Sequence, residues 1–194
     1  MRSTITIMNA KGGVGKSTLV LALAETLSVT HGKRVLVVDS DAHASISNML
    51  MRPEWVHTVQ AKGRTMVDFF ISTVLRNERV AWTSYLCTGV SDIDDARTID
   101  LLPGGGHLTL FEREVSKASQ EALLRLCVRA FLADARNAYD FVLIDSAPGL
   151  SILTECWLRE VDFYISPTKP DYISTRGLQF LGQFSQRDAE MGFA

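Results

Sequence analysis

Eight residues, Lys11-Gly12-Gly13-Val14-Gly15-Lys16-Ser17-Thr18, constrain this chain more than any other stretch. They follow a β-branched segment, Ile5-Thr6-Ile7. They lead into Leu19, Leu23 and Leu27 at helical spacing, with Ala22 and Ala24 assisting. A glycine-rich turn between a strand and a helix does three things for an anion. Its backbone N–H groups converge, its glycines allow close approach, and the helix N-terminus adds a favourable field. Phosphate is the ligand this arrangement suits. Lys16 is then placed to lie against β- and γ-phosphates, and the Ser17 hydroxyl to coordinate Mg²⁺.

His31-Gly32 stops the first helix, and Arg34-Val35-Leu36-Val37-Val38 is a continuous apolar run of the kind covered on both faces. Strand, loop, helix, strand is a βαβ unit and implies a parallel sheet. Further along, the pattern predicts a helix over 65–75 and a strand or helix end over 82–86. An acidic turn follows at 91–95, and a short strand Ile99-Asp100-Leu101-Leu102 ends at Pro103-Gly104-Gly105-Gly106. A helix-rich stretch covers 108–138, with Leu123, Leu124, Leu126, Val128 and Phe131 as candidate core positions. Phe141-Val142-Leu143-Ile144-Asp145 reads as a buried strand, 161–166 as another, and 173–186 as a final helix. The expected fold is α/β, a three-layer P-loop nucleotide-binding architecture with a mostly parallel sheet and helices on both faces. One domain over 1–194 is expected, since 46% of the residues are hydrophobic and supply one sizeable core.

Two apolar strands end in acids: Val37-Val38-Asp39-Ser40-Asp41 and Leu143-Ile144-Asp145-Ser146-Ala147-Pro148. Parallel strands bring their C-terminal ends to the edge that carries the glycine loop, where such sheets bind ligands. Nucleotide hydrolysis needs carboxylates that hold Mg²⁺ through water and a group that orients the attacking water.

The loop departs from G-x-x-x-x-G-K-[ST], because Ala10 stands at its first Gly and Lys11 follows. Lys-Gly-Gly-Val-Gly-Lys-Ser resembles the deviant phosphate loop of the ParA/MinD family. There the first lysine reaches the partner's phosphates across a nucleotide-sandwich dimer. Asp39-Ser40-Asp41 resembles that family's D-x-D switch, and Asp145-Ser146-Ala147-Pro148-Gly149 its D-x-x-P segment. The resemblance continues through Leu101-Leu102-Pro103, Pro167 to Tyr172 and Arg176-Gly177-Leu178, and fades over 53–100.

The resemblance implies an ATPase using ATP and Mg²⁺. Lys11, Lys16 and Asp41 would serve hydrolysis, the last by positioning water. Lys11, Gly12, Gly13, Val14, Gly15, Lys16, Ser17 and Thr18 would bind the nucleotide. Ser17, Asp39 and Asp145 would form the Mg²⁺ shell. It also implies a nucleotide-dependent homodimer, an activating partner protein, and weaker roles for Pro167, Thr168 and Asp171 near the nucleotide. Relatives would run on by roughly 50 residues or more, a stretch that grips the adenine. ATP rather than GTP therefore comes from the family and from no base-reading residue. Two departures stand out: Ala42-His43 replaces the usual Pro-Gln, and Ala147 a frequent Pro.

The net charge of −2 gives no sign of a strongly basic nucleic-acid binder but leaves room for a local basic patch, and with the ending Gln186-Arg187-Asp188 nonspecific DNA binding is open but unsupported. No basic amphipathic tail or long apolar run points to a membrane. Cys87, Cys127 and Cys156 are scattered and read as small buried hydrophobes in a reducing compartment. Without a signal-peptide pattern, a cytoplasmic protein is expected. Three functions remain: a partition-type ATP switch for DNA or another cargo, a metabolic ligase or synthase of the cobyrinic-acid type on the same core, and a non-hydrolysing nucleotide-binding module.

Overall fold

A computed structural model describes residues 2–93, 96 and 98–169. The helix expected over 173–186, the segment Arg176-Gly177-Leu178, the candidate Asp171, and Asp94 and Asp95 of the acidic turn lie outside the described residues.

The described residues form five strands: β1 (Ser3–Ile7), β2 (Val35–Ser40), β3 (Ile99–Leu102), β4 (Phe141–Ser146) and β5 (Phe163–Ile165). Their order across the sheet is β3-β2-β4-β1-β5, and every pairing of these strands is parallel. An antiparallel bridge from Cys87 to Leu101 joins the β3 side. The continuous apolar runs are explained by two-sided burial. Leu36, Val38, Leu102, Val142 and Ile144 enter one core, whereas Val35, Val37, Ile99, Leu101 and Leu143 enter the other.

Helix α1 (Lys16–Glu25), prolonged by a π-turn over Thr26–Thr30, and helix α2 (Ser45–Leu50) cover the second core. Its most buried positions are Val20, Ala24 and Ser28, four residues apart. Leu19, Leu23 and Leu27 flank that row and are half-buried, and Ala22 is exposed. The stripe therefore lies one residue away from the expected one.

Helix α3 (Pro53–Ala61) precedes α4 (Met66–Phe70), which continues as a π-turn over Ile71–Leu75. Thr65 and Asp68 close a reciprocal capping box that starts α4. Residues 82–86 contain a 3₁₀ turn, Trp82–Tyr85, pinned by the Trp82 indole donating to Asp134 at 2.7 Å. The stretch where the resemblance fades thus supplies Phe69, Phe70 and Trp82 to the main core.

The stretch 108–138 is two helices, α5 (Leu108–Lys117) and α6 (Glu121–Ala138), parted at Ser119, whose φ is +52°. On α6 the buried stripe is Leu124, Val128, Phe131, Leu132 and Ala135. Leu123 and Leu126 fall off it and are exposed, which corrects their expected core role. Helix α7 (Ile152–Glu160) packs on α6 and places Trp157 against Phe70 and Phe131.

Candidate nucleotide site

The C-terminal ends of β1, β2 and β4 lie side by side, with Ile7 opposite Asp145 and Asp145 opposite Asp39 in register. Sequence order puts β4 about a hundred residues beyond β2, and the parallel sheet brings them together. From β1 the chain curls through the glycine loop into α1. Gly13 and Gly15 take φ of +69° and +89°, which L side chains enter only at a cost. A Cβ at Gly12, Gly13 or Gly15 would meet no atom within 4 Å, so the loop faces open space. Gly12, Gly13, Gly15 and Thr18 are exposed, and Lys11, Val14 and Ser17 are half-buried.

Lys16 opens α1 and is only 7% exposed, unusual for a lysine. Burial lowers its pKa, while Asp145 and Asp41 oppose that shift. Asp145 is 1% exposed, and among the described residues neither carboxylate oxygen has a hydrogen-bond partner. Burial pushes its pKa up to about 6. The nearby Ser17 hydroxyl and Lys16 hold it down, Ser17 without bonding either oxygen in good geometry, and Asp41 raises it. A buried carboxylate with both oxygens unsatisfied is costly unless something else completes it. An open carboxylate beside a hydroxyl suits Mg²⁺, which keeps waters and takes phosphate oxygens rather than an all-protein cage. Among the described residues no group of three or more His, Cys, Asp or Glu is arranged to hold a metal.

Asp39 departs from its expected place in the Mg²⁺ shell. Its exposure is 0%, and Oδ2 accepts from the Ser47 backbone N–H at 2.9 Å and the Ser47 hydroxyl at 2.5 Å. Oδ1 accepts from the Asp41 N–H at 3.2 Å. Burial raises its pKa to about 7 against those bonds. Turned inward, Asp39 braces α2 against the end of β2. Ser47 extends the brace by accepting from the Gly104 N–H at 3.0 Å. A Cβ on Gly104 would lie 2.7 Å from Asp39 Cγ, and Asp39 has nowhere to go. Gly104→Ala is expected to cost about 1–3 kcal/mol, the range for overpacking a filled core. Urea unfolding would measure it, with Gly106→Ala as the tolerated control, since a Cβ there meets nothing.

Asp41 stays near the surface, its side chain 13% exposed, and its charge reaches Lys16 and Asp145. Lys16, Ser17, Asp41 and Asp145 are thus brought to one edge. Sequence reading missed two residues that hold this edge together. Asn9, 1% exposed, accepts from the Lys11 N–H at 2.8 Å and donates to the Pro167 carbonyl at 2.9 Å. Its carbonyl accepts from the Gly149 N–H at 3.3 Å, so one amide residue links glycine loop, β4 end and β5 end. Ser40 accepts from the Trp157 indole at 2.9 Å, and its carbonyl accepts from the Ala147 N–H at 3.1 Å. A polar residue directly after an apolar strand is the only sequence signal either carried. Pro167 and Thr168 lie at this same end of the sheet, through the Asn9 contact and a Thr168–Ser166 hydrogen bond.

Comparison with known proteins gives the family. The model of an AAA domain matches residues 2–189. An uncharacterised protein of Mycobacterium tuberculosis is 32% identical over 183 residues, which cover 91% of this chain and 50% of the relative. The chromosome-partitioning ATPase Soj of Treponema pallidum is 30% identical over 192 residues, 96% of this chain and 65% of Soj. The chain thus spans between half and two thirds of these relatives. Among solved structures, a putative plasmid partition protein of Borrelia burgdorferi bound to AMPPNP is 25% identical with a TM-score of 0.66, over 96% of this chain and 69% of that one. Cobyrinic acid a,c-diamide synthase of Mycobacterium smegmatis, with an ATP analogue and magnesium, is 26% identical with a TM-score of 0.70, over 97% and 69%. Among the described residues no helix is long and apolar enough to cross a membrane. With its parallel sheet, its glycine loop before α1 and these matches, the chain belongs to the ParA-like family of P-loop ATPases.

Proposed function

We propose that this chain binds ATP with Mg²⁺, dimerises on it and hydrolyses it to ADP and phosphate, as a switch that positions DNA or another cargo. The observation that carries this reading is the buried Lys16 beside the unpartnered carboxylate of Asp145 at the mouth of the glycine loop. That pairing makes little sense for a structural turn and good sense for a triphosphate with its cation.

In this mechanism the loop N–H groups from Gly12 to Thr18 bind phosphate oxygens, and Lys16 neutralises β- and γ-phosphate charge. Ser17 and Asp145 would hold the metal. Mg²⁺, when bound, supplies charge neutralisation at the bridging and transferring oxygens. Asp41 orients the attacking water. Lys11 neutralises the γ-phosphate held by a second copy, so that the nucleotide joins two subunits. Loss of the γ-phosphate removes that tie and releases the dimer. Turnover is slow until an activating partner protein completes the site.

Mass in solution with ADP, with ATP, and with ATP after Asp41→Ala tests this reading. The expected result is a monomer with ADP and a trapped dimer with ATP in the variant. A monomer under all three conditions contradicts the switch. The likeness to the diamide synthase favours a second reading, a metabolic ligase or synthase. It predicts no association and ATP consumption only when a carboxylic acid substrate is supplied. ATP binding without turnover under either condition indicates the module alone. Duplex DNA added to the dimer at stated salt tests the cargo.

A further inference from the structure

We infer that His43 is a positioning residue for hydrolysis, holding the Asp41 carboxylate so that one of its oxygens is turned to the attacking water. This rests on the proposed ATPase reading and deepens it.

The Asp41 carboxylate is held from one side. Oδ1 accepts from the His43 backbone N–H at 3.0 Å and lies 2.9 Å from His43 Nδ1. An ionised carboxylate has only lone pairs to offer, so Nδ1 carries the proton. Nε2 takes no part in that bond. The His43 side chain is 84% exposed, so packing does not hold the ring, and the bond to Asp41 does. Both donors of the turn fall on Oδ1. Among the described residues no hydrogen bond falls on Oδ2.

The turn itself is fixed at both ends. The Ala44 N–H donates to the Asp41 carbonyl at 3.0 Å, and Ala44 adopts φ +51°, a left-handed conformation that a non-glycine residue enters at a cost. Beyond it, α2 is tied to Asp39 through Ser47. Backbone and ring together therefore set the direction of the Asp41 carboxylate. The field of that carboxylate at Lys16 and Asp145 places it on the phosphate side of the sheet edge. Water positioning depends on orientation, and a second donor on Oδ1 removes rotamers that would point the acid away. His43 stands where the resembled pattern continues with Gln, so this chain supplies its own donor.

Three substitutions separate this role from a surface histidine's. His43→Asn offers an amide N–H near the place of Nδ1, His43→Gln offers one near Nε2, and His43→Ala offers neither. The expected result is a kcat for ATP hydrolysis about tenfold lower in His43→Ala and His43→Gln, the lower end for loss of a supporting partner. KM and ATP affinity stay within about twofold, since only the reacting water is affected. His43→Asn keeps at least about half of the wild-type kcat. In an Asp41→Ala background, His43→Ala adds no further loss. Equal kcat in wild type and all three variants overturns the inference, as does rescue by Gln rather than Asn, or loss in all three alike. A wild-type protein without ATP hydrolysis overturns the ATPase reading as well. An active wild type with an equally active His43→Ala overturns this inference alone.

Discussion

Lys16→Ala is expected to weaken ATP binding by at least about 100-fold, some 2.7 kcal/mol, while leaving the fold in place. Lys16 is 7% exposed at the first turn of α1, where it follows the glycine loop and feels the charges of Asp145 and Asp41. In such a site its attraction for a phosphate is far less screened than at a surface. No other described side chain occupies that place, so no neighbour substitutes for it. Isothermal titration with Mg²⁺·ATP measures the loss, and circular dichroism checks the fold. Binding within a fewfold of wild type would remove Lys16 from the phosphates.

Asp145→Asn has the second large effect, and it runs in opposite directions for function and stability. Magnesium-dependent nucleotide binding and hydrolysis are expected to fall by two orders of magnitude or more, because the proposed mechanism has the open carboxylate of Asp145 hold the metal together with Ser17. The nucleotide-free variant should nevertheless be as stable as wild type or more so at pH 7.5. The sign follows from burial. The pKa of Asp145 is raised from the usual 3.8 to about 6, so between those values the folded state holds more proton than the unfolded chain. Stability from this group is full below about pH 4 and is lost as pH rises through about 6. At roughly 1.4 kcal/mol per unit, the loss is on the order of 2–3 kcal/mol. Asp39, raised to about 7 by its own burial, extends the same trend upward. Thermal midpoints of the nucleotide-free protein should therefore drop between pH 5 and 7.5, and drop less in Asp145→Asn. A midpoint rising over that interval would contradict the buried, unpartnered state of this acid.

Much of the architecture was legible because its signals are local and strong. The glycine loop, the apolar runs of β2 and β4 and the acids that end them follow from residue type and period alone. Together they require a parallel sheet with its phosphate edge shared by three segments. What sequence could not show was direction. Asp39 and Asp41 stand two apart and the resemblance puts Asp39 in the Mg²⁺ shell, yet its carboxylate turns inward to Ser47 while that of Asp41 meets His43. The determinant is a serine eight positions further on and a glycine some sixty positions away, neither of which has a pattern of its own. The same holds for Asn9, which bonds the nearby Lys11 N–H and two distant backbone groups at Gly149 and Pro167. On α1 the helical period was right but the buried stripe lay beside the leucines, and on α6 Leu124, Val128 and Phe131 are buried as expected while Leu123 and Leu126 are not, because the angle of packing against the sheet is a tertiary property. Residues 53–100 carried the weakest resemblance, yet they lie inside the family match over 2–189 and help fill the core, since packing asks for volume and apolar surface rather than motif.

The most direct measurement is a crystal structure of this protein with a non-hydrolysable ATP analogue and Mg²⁺. The expected result is triphosphate in the glycine loop with Lys16 upon it, and the metal between Ser17 and the Asp145 side of the sheet edge. An empty loop, or nucleotide bound elsewhere with Lys16 and Asp145 unchanged, would contradict the account.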